Sequence, residues 1–241
     1  MEPILGEGFR MAFTRSAFLT GVSALLAGPA VAATAAEIPL STVDPIGRSR
    51  GTPDEALRFL IEGNRRFRIG GQRLRPRPSD ATPQRPWAAL LTCADTRVAP
   101  EIVFDTGFGD VFVCRTAGNI ADNDVTGSIE YAVSQFHAPL VVVIGHSGCG
   151  ACEAAIKTFD GKPDYPIPPA SIVSVVPTIM PAVSRIPRDA AGREALVEQK
   201  NAQLTAQALA AGPILAPAIA SGRLRVTGAY HELHLGLVTI H

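Results

Sequence analysis

The chain of 241 residues has no charge of either sign to spare. Lys plus Arg and Asp plus Glu number 22 each, a formal net charge of zero with the histidines neutral. A neutral chain gives no electrostatic ground for binding nucleic acid or an acidic membrane surface. Cysteine is scarce, with four in the chain, which argues against a disulfide framework. No segment repeats at a fixed period. Gly and Pro are plentiful, but they punctuate other patterns and form no low-complexity tract. The apolar stretch Ala17 to Val31 is short and holds Gly21, Gly28 and Pro29, so no stable membrane span is expected. What remains is length enough for one α/β domain with a real core.

Residues 1–35 read as an export signal. Arg10 and Arg15 precede the apolar stretch, and Ala33-Thr34-Ala35 offers a small-x-small cleavage site. Arg15-Ser16-Ala17-Phe18-Leu19 is similar to a twin-arginine signal in which Ser16 replaces the second arginine. Glu2 and Glu7 are foreign to a basic leader and make Met11 an alternative start. The expected location is the periplasm, with a cytoplasmic protein carrying a disordered or membrane-lying N-terminal helix as the alternative. Residues 36–51 read as an exposed lead-in, and 52–241 as the folded domain.

Thr52-Pro53-Asp54-Glu55 forms a capping box with proline at the first helical position, and Leu57, Leu60 and Ile61 continue as an apolar stripe. The Pro- and Arg-rich piece Leu74 to Arg85 reads as a solvated loop. Strands are expected at Pro86–Cys93, Asp110–Arg115, Leu140–His146 and Leu224–Gly228, with a short edge strand at Gly236–His241. Helices are expected at Thr126–His137, Gly150–Phe159, Gly192–Ala211 and Pro213–Ala220, with mixed helix and loop from Pro163 to Pro187. Strands alternating with helices define an α/β fold with a mainly parallel sheet covered on both faces. Sites in such sheets gather beyond the carboxyl ends of strands.

Two such ends carry chemistry. The apolar run Leu90-Leu91-Thr92 ends in Cys93-Ala94-Asp95-Thr96-Arg97. If the strand persists that far, Cys93, Asp95 and Arg97 share one face. The second run, Leu140 to Ile144, ends in Gly145-His146-Ser147-Gly148-Cys149. Two thiols and an imidazole make a soft site suited to Zn²⁺. A catalytic zinc needs three protein ligands and one open position, and Cys93, His146 and Cys149 supply the three. Gly148 and Gly150 flank Cys149 and permit a tight turn.

These residues resemble the β-class carbonic anhydrases, which read Cys-x-Asp-x-Arg and then His-x-x-Cys. The resemblance extends to Ala56–Leu60 with Gly63-Asn64-Arg65-Arg66-Phe67, to Arg115–Asn119, to Gly127–Val133 and to Gly228-Ala229-Tyr230. It implies four parallel strands with an antiparallel edge strand, one zinc per chain and reversible hydration of CO₂ to bicarbonate and a proton. Two thiolates cancel the charge of Zn²⁺, so the centre should acidify water weakly, and activity should rise over roughly pH 7 to 9. A nearby group must then hold the hydroxide. Asp95 can accept its hydrogen bond, and Arg97 can keep Asp95 ionised and off the metal. The resemblance implies that dyad, and a closed form in which Asp95 becomes a conditional fourth ligand. It also implies a homodimer or dimer of dimers. Gly148 and Tyr131 are candidates for the substrate pocket. A family subset with a regulatory bicarbonate pocket carries Trp three residues before the first ligand cysteine. Leu90 stands there, and although the matching arginine is present as Arg115, the pocket reads as incomplete.

Other readings compete. A CS₂ or COS hydrolase could use the same centre, and a non-catalytic zinc or bicarbonate-binding protein would dispense with Asp95 and Arg97. Cys149-Gly150-Ala151-Cys152 also reads as C-x-x-C, the mark of thiol oxidoreductases. That motif needs no upstream Cys-x-Asp-x-Arg. Cys114 and Cys152 read as small buried residues, and His231, His234 and His241 as solvated surface histidines.

Overall fold

The computed structural model describes residues 51–73, 84–162 and 174–241. The export signal, nearly all of the lead-in and most of the Pro- and Arg-rich piece lie outside the described residues. Helix α1 (Pro53–Arg68) begins as its sequence dictates. Thr52 Oγ1 accepts from the Glu55 amide at 3.3 Å, and Glu55 Oε2 accepts from the Thr52 amide at 2.7 Å. The reciprocal pair satisfies two amides that the helix itself cannot.

Strand β1 (Ala88–Cys93) leads through the short helix α2 (Pro100–Val103) to β2 (Val111–Thr116) and the single turn Ala117–Asn119. Helix α3 (Asn123–Gln135) precedes β3 (Leu140–His146), which runs into α4 (Gly150–Phe159). Helices α5 (Val175–Val183), α6 (Arg193–Ala210) and α7 (Leu215–Ala220) follow. Strands β4 (Arg225–Glu232) and β5 (Leu237–Ile240) close the sheet. The strand order is β2-β1-β3-β4-β5, with β5 alone antiparallel.

Every residue of β1 and β3 is buried. Alternation sends Ala88, Leu90, Leu140, Val142 and Ile144 to the face packed by Ala56 and Leu60 of α1. Ala89, Leu91, Val141 and Val143 meet α3, α6 and α7 on the other face. A strand dry on both sides must be apolar at every position, so it reads as an unbroken run. Each fully buried leucine contributes roughly 1.5–3 kcal/mol. Leu90 and Leu91 therefore anchor β1 from both sides and hold its carboxyl end in place. From β1 the chain moves to β2 on one side and then crosses to β3 on the other. The carboxyl ends of β1 and β3 thus flank a topological switch point.

The structure corrects three expectations and decides a fourth, conditional one. Strand β1 ends at Cys93 as expected, so it does not persist to Asp95 and Arg97, which lie on no strand face. They belong to a turn closed by the Val98 amide on the Asp95 carbonyl at 3.0 Å. Helix α3 starts three residues before the expected Thr126, because the Asp122 carboxylate accepts from the Val125 amide at 2.8 Å and caps it. Strand β4 runs four residues beyond Gly228, paired with β3 on one side and β5 on the other. That extension buries His231, expected at the surface, to 2% exposure beside His146. His234 and His241 are exposed as expected.

Candidate metal centre

Cys93 closes β1, His146 closes the neighbouring β3, and Cys149 stands three residues later at the N-cap of α4. Their ligand atoms all lie within 4.8 Å of one another, and all three residues are buried. The intervening loop turns at Gly148, whose φ of +69° is the left-handed conformation that glycine adopts without steric cost. Gly150 needs no such freedom and starts α4 with ordinary helical geometry.

The donor set fits zinc. The Nδ1 atom of His146 lies 3.0 Å from the Ser147 carbonyl, which can only accept, so Nδ1 carries the proton. Nε2 is then a lone pair, fully buried, that meets no hydrogen-bond donor among the described residues. An orphaned acceptor beside two thiols is costly in a dry interior unless a cation takes it. Without a metal, contact with Cys149 and burial push the Cys93 thiol up to about 12. Contact with Cys152 does the same for Cys149, also up to about 12. The fold therefore stores protons on sulfurs that a thiophilic cation would displace.

Asp95 lies outside the triplet. Its Oδ1 accepts from the Arg97 amide and from Nε, both at 2.9 Å, and its Oδ2 accepts from Nη2 at 2.8 Å. The two-residue turn makes this fork possible, since an Asp side chain readily bonds the amide two positions on. Arg97 holds the Asp95 carboxyl well below the usual carboxylate range, so it is charged at any working pH. Nη2 of Arg97 also donates to the Gly148 carbonyl at 3.2 Å, tying the turn to the loop between His146 and Cys149. Arg115 donates to the Cys93 carbonyl at 3.2 Å and to the Asp95 carbonyl at 2.7 Å.

Cys93, Asp95, Arg97, His146, Gly148 and Cys149 thus come together. Tyr131 does not join them. It is half exposed on α3, edge-on to Phe136 with centroids 5.2 Å apart and tilted against Phe112. Cys114 and Cys152 are buried and free. Sequence reasoning missed two residues of α6, Glu198 and Asn201, which are 3% and 2% exposed. Glu198 Oε1 accepts from the Cys149 amide at 2.8 Å, and Oε2 accepts from the Tyr230 hydroxyl at 2.8 Å. Asn201 Nδ2 donates to the Gly118 carbonyl at 2.8 Å, and the Gly118 amide donates to Cys93 Sγ at 3.3 Å. Their signal was their phase, since they fall in the stripe of Val197, Ala202, Ala206 and Leu209.

A mainly parallel α/β sheet with two thiols and an imidazole at its switch point offers a set of groups that could hold a metal ion. The family model for carbonic anhydrase matches residues 88–238. Carbonic anhydrase 2 of Mycobacterium tuberculosis is 40% identical over 190 residues, covering 76% of this chain and 90% of its own length. The carbonic anhydrase of Mycolicibacterium smegmatis is 36% identical over 195 residues, covering 78% and 93%. Among solved structures, the Coccomyxa β-carbonic anhydrase in complex with acetazolamide superposes with a TM-score of 0.58 at 25% identity, covering 67% of this chain and 74% of its own. A tetrameric β-carbonic anhydrase of Sordaria macrospora shares the fold, with a TM-score of 0.55 at 24% identity, covering 78% and 91%. The chain belongs to the β-class carbonic anhydrase family and is a carbonic anhydrase enzyme.

Proposed function

We propose that Cys93, His146 and Cys149 hold one zinc ion, and that Asp95 and Arg97 direct the hydration of CO₂ beside it. The observation that carries this reading is the buried triplet with its free Nε2, set next to a carboxylate that the triplet does not include. When bound, zinc supplies the Lewis acidity that makes water a nucleophile near neutral pH. The rest falls to the chain. Asp95 accepts a hydrogen bond from the attacking water and turns its lone pair toward CO₂. Arg97 keeps that carboxylate ionised and positioned, and the Gly148 carbonyl fixes Arg97 in turn. Release of Asp95 by Arg97 would let the carboxylate act as a fourth ligand and shut the site.

Stopped-flow hydration of CO₂ by the zinc-loaded protein tests the proposal, with COS and CS₂ assayed in parallel. Fast CO₂ turnover that rises over roughly pH 7 to 9 is expected. Turnover of COS or CS₂ alone would assign the centre to hydrolysis instead.

Assembly as a dimer or a dimer of dimers is supported by family membership, and light scattering in solution tests it. Export to the periplasm is supported by the order of basic, apolar and small residues in 1–35; N-terminal sequencing of the mature protein tests it. Among the described residues no helix is long and apolar enough to cross a membrane.

A further inference from the structure

We propose that Glu198 and Asn201 are positioning residues that brace the two arms of the metal site from one buried face of α6. This inference rests on the zinc reading above and deepens it.

The two arms come from different parts of the chain. One is the loop His146–Cys149 after β3, and the other is Cys93 at the end of β1 with the turn Ala117–Asn119 against it. Nothing covalent keeps them in register. Helix α6 crosses both. Glu198 and Asn201 lie one helical turn apart and so project from the same face. Glu198 takes the Cys149 amide, the backbone group next to the ligand side chain. Asn201 takes the Gly118 carbonyl, and the amide of that same residue donates to Cys93 sulfur. One rigid helix therefore fixes both sulfur ligands at second hand.

Neither side chain is where a polar group sits by default, since both are buried. A buried carboxylate costs several kcal/mol in desolvation unless it is paired and hydrogen-bonded. Among the described residues Glu198 takes no hydrogen bond from a basic side chain. It holds an amide and a hydroxyl instead. A leucine or methionine there would pack α6 at lower cost. Packing alone therefore does not account for a carboxylate at this position, whereas two directed hydrogen bonds do. The helix also lies unusually near β3. A side chain at Gly145 would meet the Glu198 carbonyl at 2.7 Å, so the backbone of α6 is fixed one residue from His146.

Zinc affinity is the readout, measured by competition with a chromophoric chelator, together with the absorption spectrum of the cobalt-substituted protein. Glu198→Met removes the acceptor at similar length. Asn201→Asp removes the donor with almost no change of shape. Each should weaken zinc binding about 10- to 100-fold, the range for partners that orient ligands, and should alter the cobalt–thiolate bands. Glu198→Gln keeps an oxygen for the Cys149 amide and should stay within about threefold of wild type on the same grounds. A packing role alone would lower thermal stability without moving the cobalt spectrum.

Wild-type affinity and spectrum in both Glu198→Met and Asn201→Asp would overturn the proposal. So would a Glu198→Gln protein as weak as Glu198→Met. If Glu198→Met does not fold, Asn201→Asp alone decides. A wild type that takes up no zinc would overturn the metal reading along with this one; a wild type that binds zinc no more tightly than the variants overturns only the brace.

Discussion

Replacing Asp95 by Asn separates catalysis from metal binding. The amide keeps Oδ1, and with it the two contacts at 2.9 Å to the Arg97 amide and Nε. The side chain therefore stays near its place. On the other side an NH₂ replaces Oδ2 and faces Nη2 of Arg97, donor against donor, where a 2.8 Å charge-assisted bond stood. The acceptor that would orient water is lost with it. A hydrogen bond to a charged group contributes roughly 1.5–3 kcal/mol. If one such bond is made only in the transition state, its loss lowers kcat about 10- to 150-fold, at about 1.4 kcal/mol per tenfold. Zinc content should not change, because Asp95 is outside the ligand triplet. Stability should change little, since the Arg97 side chain is 58% exposed and such pairs contribute about 0–1 kcal/mol. The assay is stopped-flow hydration with metal analysis of the same sample. Full activity with full zinc would remove Asp95 from the reaction. Activity lost in proportion to zinc would make it a ligand-shell residue instead.

Three further outcomes follow from the same geometry. With the metal stripped, both ligand thiols are raised from 9.0 to about 12 in the fold. The folded state then binds more protons than the unfolded chain between those values, so metal-free stability should fall as pH rises from about 9 to about 12. A thermal melt series that is flat over that window would contradict it. Gly118 has φ +70°, and a methyl group there would meet Ile179 Cδ1 at 2.7 Å. Gly118→Ala should therefore cost about 1–3 kcal/mol in denaturant unfolding and weaken zinc retention through Cys93; wild-type stability would show that the turn can move. Finally, Leu90 stands in place of tryptophan, and Arg115 is engaged with the Cys93 and Asp95 carbonyls. Added bicarbonate should give no steep cooperative loss of hydration activity, and a sigmoidal loss would refute this.

The parts of the fold that could be read from the sequence are those where one physical demand fills every position. Strands β1 and β3 are dry on both faces, so their apolar runs and the polar residues that end them stand out. Cys93, His146 and Cys149 fall at those endings. Boundaries set by tertiary partners were hidden. The Tyr230-His231-Glu232 segment mixes polar residues that suggest a surface. It is strand because β3 and β5 flank it, and because Tyr230 and Glu232 find Glu198 and Ser147. Asp95 and Arg97 meet, but through an Asp-capped turn and not through strand alternation. The spacing of two serves either geometry. Glu198 and Asn201 escaped notice because a polar pair on a helix reads as solvated until the helix is seen to cover the loops that carry Cys93 and Cys149.

What the triplet of Cys93, His146 and Cys149 holds decides the chemistry of the site. Metal analysis of the reduced protein, joined to X-ray absorption at the zinc edge, should find one zinc per chain bound by two sulfurs, one imidazole nitrogen and one exchangeable light atom. A metal-free protein, or a zinc with all four positions permanently filled by side chains, would contradict it.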